Sequence, residues 1–297
     1  MTAFRNGEGE KPSVSFFSLG KWFTELRRDT PWLQELPYHP VRHVLKYQAD
    51  AWAACFKGGG FPKFKSRRGD DGFTIPDNVR IRDGKLWIPK IGWLVIRRRG
   101  GNPYADATPA RAVVKRRLGK WYATVCYAVD AETVQPFDNG LAIGVDMNVG
   151  QVATSTGDIL RMPDVSRLEA RRRRYQRRMA RQCKGSKRRA ITRHRIAKTA
   201  HRIACIRSNW HHHVSRQIAD TAGLVVIEDL KTASMTRSAK GTLDNPGSKV
   251  RQKAGLNRSI LSTGWSELRA MLDYKAARVE AIHPAYTSQM CLSLIHI

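Results

Sequence analysis

A mixed α/β fold is predicted for this 297-residue chain by three observations. Apolar residues recur at helical spacing around 18–30, 40–56, 166–222 and 256–277. Short runs of β-formers, punctuated by Gly and Pro, fill the interval 73–130. After a linker of Asp, Pro and Asn-Gly at 130–140 the style changes to strands alternating with long helices, which marks a domain boundary. The length suffices for one large or two ordinary domains.

Taken in order, residues 1–17 are polar and glycine-bearing and read as a loose arm. From Ser18 the pattern turns helical: Leu19, Trp22, Phe23 and Leu26 share a face, Ser18 serves as N-cap and Pro31 ends the helix. A second helix, 40–56, aligns Val41, Val44, Leu45, Ala49, Trp52 and Ala53. Together they make a helical region, 18–72. Its last part, KGGGFPKFKSRRGDDGF, is glycine-rich and basic, with Phe61, Phe64 and Phe73 interleaved. It reads either as an ordinary loop or as one that meets a phosphate backbone through Lys63, Lys65, Arg67 and Arg68, with a ring for stacking. KLWIP, GWLVIRRR, ARAVVKRR and KWYATVCYAV then predict short strands within 73–135, which suit a small β-barrel.

The next domain is expected over 136–291. LAIGVDMNVGQVATSTGDILRMP supplies three strands with tight turns. A helical stretch runs from Ser166 to about Ala222, with CKGSK as the turn of a helical hairpin. GLVVIEDL is a strand, 231–254 a basic loop, and Leu256 to about Ala277 one amphipathic helix. The stripe Leu256, Ile260, Leu261, Trp265, Leu268 and Leu272 faces the core, and RVEAIHP is a last strand. Three strands, helices, a strand, a helix and a strand is the order of an RNase H-like fold, and order alone says little about function.

Charge narrows the function. There are 53 Lys and Arg against 25 Asp and Glu, a formal net charge of +28. A small-molecule enzyme rarely carries that excess; it points to a polyanionic partner, nucleic acid first, with ribosome-like adhesion the alternative. From Arg167 to Arg207, 17 of 41 residues are basic and only Glu169 is acidic, so the charge is not a self-paired helix face. Arg171, Arg172, Arg173, Arg174, Arg177, Arg178, Arg181, Lys184, Lys187, Arg188 and Arg189 are therefore candidate phosphate contacts, salt-dependent and sequence-independent. No apolar run is long enough for a membrane span and the N-terminus has no signal core, which implies a cytoplasmic, nucleoid-associated protein without a membrane partner. Five scattered cysteines without a CxxC pair argue for a reducing compartment. Cys55, Cys126, Cys183 and Cys205 read as buried or part-buried thiols. The consecutive histidines of WHHHVS point in different directions on a helix and do not suggest a shared ion.

Two acids stand out. In LAIGVDMN, strand alternation puts Asp146 on the face of Ala142 and Gly144, the smallest side chains, leaving room for a hydrated metal and a substrate backbone. A solvent-facing aspartate before a turn is the plainer alternative. In GLVVIEDL an apolar run ends in two acids, one per face, with Glu228 sharing its face with Leu224 and Val226. If the two strands are neighbours, Asp146 and Glu228 converge, and a divalent cation relieves their repulsion. Mg²⁺ takes oxygen ligands and retains waters, which suits phosphodiester chemistry.

GVDMNVGQVATSTG, VVIEDL, GLNRSILSTGWSELRAMLDYKA and HPAYTSQMC, in that order, resemble the TnpB (OrfB) proteins of insertion-sequence transposons, relatives of type V CRISPR effectors. The match covers roughly 18–291. The resemblance implies an RNA-guided DNA endonuclease: guide RNA from the transposon end pairs with target DNA beside a short motif, and a RuvC-type domain cuts with Mg²⁺. It implies a helical recognition region and a wedge-like β-barrel before that domain, with a separate transposase encoded nearby. Asp146 matches the first RuvC carboxylate and Glu228 the second, both as Mg²⁺ ligands; the basic hairpin would lie against RNA and heteroduplex. The family's opening strand and helix are not recognisable here, so an incomplete barrel is expected. The family continues into a zinc ribbon of two CxxC pairs and a third catalytic acid. Only Cys291 of that ribbon is present, an orphan ligand, so zinc is expected in a full-length member and not in this chain. Residues 292–297, LSLIHI, match the translation of an adapter used in sequencing libraries and read as non-native. The expectation is a C-terminally truncated nuclease with weak or no cleavage; a non-catalytic guide-RNA- and DNA-binding repressor from the same family is the alternative.

Overall fold

The computed structural model describes residues 13–63, 71–97, 102, 104, 106–130 and 135–284. Contacts divide the chain into two compact units, Met1–Thr133 and Val134–Ile297.

The first unit begins with helices α1 (Phe16–Asp29), α2 (Pro31–Glu35) and α3 (Tyr38–Phe56). The cap of α1 is Ser15, not the expected Ser18: its Oγ accepts the Ser18 backbone N–H at 3.2 Å. Pro31 both terminates α1 and opens α2, where its missing N–H would be unpaired anyway. Of the apolar face expected on α1 only Phe23 is buried, while Trp22 is 64% exposed. Strands follow in chain order: β1 (Gly72–Ile75), β2 (Arg80–Arg82), β3 (Lys85–Ile88), β4 (Gly92–Val95), β5 (Thr108–Arg117) and β6 (Lys120–Ala128).

The expected barrel does not close among the described residues. Instead there are two three-stranded antiparallel sheets, ordered β1-β5-β6 and β2-β3-β4. They share a core of Ile75, Val79, Leu86, Ile88, Ala112 and Val114. Strands β2 to β4 have only three or four residues, and no ladder among the described residues joins their sheet to the other.

The second unit is built on one five-stranded sheet. A meander of β7 (Ala142–Asn148), β8 (Gln151–Thr154) and β9 (Ile159–Arg161) leads into helices α4 (Ser166–Ala180) and α5 (Lys187–Ala219). The expected helical hairpin over 166–222 is present as two helices joined by residues 181–186, which include the expected turn, with Ser186 Oγ capping α5. Strand β10 (Leu224–Glu228), helices α6 (Thr232–Met235), α7 (Val250–Thr263) and α8 (Trp265–Asp273), and strand β11 (Arg278–Ile282) complete it. The sheet order is β11-β10-β7-β8-β9, the first three strands mutually parallel and the meander antiparallel.

The single helix expected over 256–277 is interrupted at Gly264, whose φ of 76° is left-handed. A side chain there would meet the His211 ring at 2.8 Å. Along the stripe Ile260, Trp265, Leu268 and Leu272 are buried, whereas Leu256 and Leu261 are exposed. With Trp210, Val214 and Ile218 of α5, the buried four cover the sheet face formed by Ile143, Val145, Met147, Val225 and Ile227. Burying these side chains is worth about 1.5–3 kcal/mol each.

The register between β7 and β10 is pinned where both strands begin. Asn139 Oδ1 accepts the backbone N–H of Leu141 and of Gly223, each at 3.1 Å, and its Nδ2 donates to the Thr221 carbonyl. A Cβ on Gly223 would lie 1.8 Å from Asp138 Oδ1, so any larger residue there requires the Asp138 side chain to move.

Candidate functional site

From that anchor the strands run in parallel, pairing Leu224 with Ala142 through Ile227 with Val145. Asp146 and Glu228 are the next residues on their strands. Burial alternates along both: Val145, Met147 and Ile227 are buried in the core, Asp146 is exposed and Glu228 half-buried. The two carboxylates therefore leave neighbouring strands, which lie about 4.8 Å apart, on the same face. A register slip of one residue would turn one of them into the core.

Each acid has distinct surroundings. Asn148, two residues on and on the same face, donates from Nδ2 to Asp146 Oδ2 at 2.7 Å. The turn Val149–Gly150, with Gly150 at φ 77°, then returns the chain into β8. Two groups at the α7–α8 elbow hold this turn: Trp265 Nε1 donates to the Asn148 carbonyl at 3.2 Å, and Gly150 N–H donates to Thr263 Oγ1 at 3.2 Å. His211, buried to 1% exposure, backs the elbow, with Nε2 2.8 Å from the Thr263 carbonyl and Nδ1 3.3 Å from Glu267 Oε2. Neither Asn148 nor Trp265 stands out in the sequence as a site residue; the Asp-x-Asn spacing on a strand was the available signal.

The acid after Glu228 is engaged elsewhere. Asp229 Oδ1 pairs with Arg269 Nη1 of α8 at 3.0 Å. Of the two acids that close GLVVIEDL, only Glu228 shares a face with Asp146.

The basic hairpin is the second feature. Leu168, Arg172, Tyr175, Met179 and Gln182 of α4 and its end are shielded, as are Arg189, Thr192, Ile196, Thr199 and Ile203 of α5. Spacings of three and four residues make this a short antiparallel coiled-coil seam. Its hydroxyls are satisfied within α5: Thr192 Oγ1 donates to the Arg188 carbonyl and Thr199 Oγ1 to the Arg195 carbonyl. Arg189 Nη1 donates to the carbonyls of Met179 and Gln182, closing the end of α4, and Arg207 pairs with Glu169 at 2.9 Å at the hairpin base.

Arg172 and Arg189 are thus turned into the seam, which separates them from the other candidate phosphate contacts. Arg171, Arg173, Arg174, Arg177, Arg178, Arg181, Lys184, Lys187 and Arg188 are exposed, and Arg174, Arg177 and Arg181 line one hollow with Ala180. In the first unit Lys63 is exposed. Lys65, Arg67, Arg68 and Cys291 lie outside the described residues. Cys183 and Cys205, expected to be buried or part-buried, are exposed on the hairpin. His211 is buried while His212 and His213 face out. Lys275 Nζ donates to the His212 carbonyl and to Ser215 Oγ; burial, then the nearby Arg216, holds its ammonium below the usual lysine range. Among the described residues no group of three His, Cys, Asp or Glu could hold a metal ion, and no helix is long and apolar enough to cross a membrane.

Residues 124–239 match the family OrfB_IS605, "Probable transposase". The chain is 32% identical over 298 aligned positions to a protein of Escherichia coli (strain K12) named RNA-guided DNA endonuclease InsQ, covering 96% of this chain and 73% of that protein. It is 28% identical to a protein of Streptomyces pristinaespiralis named RNA-guided DNA endonuclease, covering 91% of this chain and 65% of that one. A solved Cas12f1–sgRNA–target DNA complex is similar at 14% identity and a TM-score of 0.48, over 85% of this chain and 62% of the other.

Proposed function

The chain belongs to the OrfB (TnpB) family of transposon-encoded proteins, and on that premise we propose that it is the nuclease-bearing part of an RNA-guided DNA endonuclease whose RuvC-type site is carried by Asp146 and Glu228. One observation carries this reading: the β7–β10 register brings two carboxylates from separate motifs to one face of an RNase H-like strand order, β11-β10-β7-β8-β9.

The donor set fits a hard divalent cation such as Mg²⁺, since both ligands are carboxylate oxygens on the sheet face opposite the apolar core. Bound there, Mg²⁺ would supply activation of a water and stabilisation of the leaving oxygen of a phosphodiester. The chain's own work is to hold the carboxylates: Asn139 fixes the register and Asn148 one oxygen of Asp146. The exposed arginines of α4 supply the phosphate-neutralising surface, and the names of the relatives support reading the polyanions as a guide RNA and its target DNA.

Two measurements test the reading on the chain as it exists. Mn²⁺ titration followed by electron paramagnetic resonance should show binding that Asp146→Ala and Glu228→Ala each abolish; binding equal to the unaltered chain in both would overturn the site. Sequencing of RNA co-purified with the chain expressed beside its own flanking DNA should return one defined transcript. Recovery of bulk cellular RNA alone would overturn the guide.

A further inference from the structure

We propose that Asn148 is a positioning residue for Asp146, and that the α7–α8 elbow holds Asn148 in place through Trp265 and Thr263. The inference rests on the site proposed above and adds residues to which no role there has been given.

The geometry is a short chain of contacts. The Asn148 side chain lies on the face of Asp146, and its amide N–H reaches Asp146 Oδ2 at 2.7 Å. A carboxylate accepting one amide hydrogen bond has its last torsion, otherwise broad, restrained. A side-chain amide carries no charge, so this restraint does not compete with a cation for the site.

Asn148 itself sits at the last position of β7, where a strand end would fray. It does not rely on the ladder alone. The Trp265 indole N–H donates to its carbonyl, and Thr263 Oγ1 accepts the Gly150 N–H, so both sides of the turn are tied to one elbow. The elbow is rigid for stated reasons. Gly264 takes a φ of 76°, and the space where a side chain would go is filled by the buried His211 ring, which also meets the Thr263 carbonyl. Trp265 is only 7% exposed and packs in the main core. Sequence separations of more than 110 residues between partners make this a tertiary restraint on Asp146, not a local turn preference.

The expected consequence is loss of cation affinity on removal of the amide, on the scale of groups that orient metal ligands, roughly 10-fold to 100-fold. The test uses the full chain and Mn²⁺ alone as probe. Asn148→Ala should weaken Mn²⁺ binding by about tenfold with its melting temperature unchanged. Trp265→Phe and Thr263→Val, which each remove the side chain's hydrogen bond to the turn, should weaken it less. A readout without metal accompanies these: the Asn148 side-chain amide resonance in a ¹⁵N-labelled chain should shift strongly in Asp146→Ala and modestly in Trp265→Phe. If Asp146→Ala abolishes Mn²⁺ binding while Asn148→Ala binds as the unaltered chain does, the positioning role is wrong and the site stands. If the unaltered chain binds no Mn²⁺, or Asp146→Ala binds it equally, the site reading falls and this inference with it. An Asn148 amide resonance indifferent to Asp146→Ala would overturn the hydrogen bond itself.

Discussion

The acid-bearing sheet and the basic hairpin belong to the same unit and are joined by the same helix, α5, yet they are built on opposite rules. At the sheet a handful of groups fix single atoms: Asn139 sets a register, Asn148 holds one oxygen, Trp265 and Thr263 hold one turn. On the hairpin no single group is decisive. The seam is half polar, its hydroxyls satisfied within α5, and the outer surface repeats one chemistry nine times. The difference teaches that position matters at the first and number at the second. A carboxylate displaced by an ångström loses its partner, whereas phosphate neutralisation depends on how many charges are present.

The sharpest way to break the comparison is to remove one group from each side. Asp146→Ala or Glu228→Ala should raise the dissociation constant for Mn²⁺ by about 10²-fold or more, beyond the effect of losing an orienting group. Neither should alter the salt dependence of nucleic-acid binding. A changed salt slope in these variants, measured by titration across salt concentrations, would mean that the sheet face belongs to the phosphate surface.

The converse variant is Arg174, Arg177 and Arg181 to alanine together, the three guanidiniums around one hollow. For duplex DNA the slope of log K against log salt should become shallower by about 2.7, at 0.9 for each phosphate contact. Mn²⁺ binding should not change. Arg189→Ala is the control within the hairpin: it should leave the slope almost unaltered and instead destabilise α4, whose terminal carbonyls it closes. Equal slope changes in both would sink the division between outer and seam arginines.

Gly264 tests the sheet side by a different route. Alanine there must adopt a left-handed conformation and place Cβ 2.8 Å from the His211 ring. A cost of about 2–3 kcal/mol in thermal unfolding is expected, from backbone strain and overpacking together. An unchanged midpoint would show that the elbow is pliable and cannot anchor the Asn148 turn.

What the sequence made legible follows the same division. Strand alternation alone put Asp146 and Glu228 on particular faces, and Val225 and Ile227 are indeed fully buried beside the half-buried Glu228. The adjacency of β7 and β10 was not readable, because Asn139 and Gly223 are 84 residues apart and meet only in the fold. The stripe 256–277 read as one helix; the break at Gly264, packed against the buried His211, shows only in the fold. The hairpin turn was visible in CKGSK, but its seam was hidden, since Arg172, Tyr175, Thr192 and Thr199 occupy positions that an apolar pattern would have marked. In the first unit the β-runs were visible, while closure into a barrel depends on strand length and tilt that residue types do not encode.

The smallest expected effect concerns the start of the hairpin. Asp164 Oδ1 accepts the Ser166 backbone N–H at 2.8 Å and Oδ2 the Ser166 hydroxyl at 2.9 Å, just before α4. These two hydrogen bonds hold its carboxyl below the ordinary carboxylate value. A depressed folded-state value means that the contribution is fully present above the unfolded value, about 3.9, and is lost as pH falls through the lower folded one. The side chain is fully exposed, so the effect is local: amide exchange in the first turn of α4, near Glu169, should speed up in Asp164→Ala at pH 6. The difference from the unaltered chain should shrink below about pH 3.9. Nucleic-acid affinity should not follow it, because one frayed turn leaves the outer arginines of α4 in place. If exchange in that turn is indifferent to Asp164→Ala at every pH, the Asp164–Ser166 hydrogen bonds do not hold the start of α4, and the hairpin begins where the seam does, at Leu168.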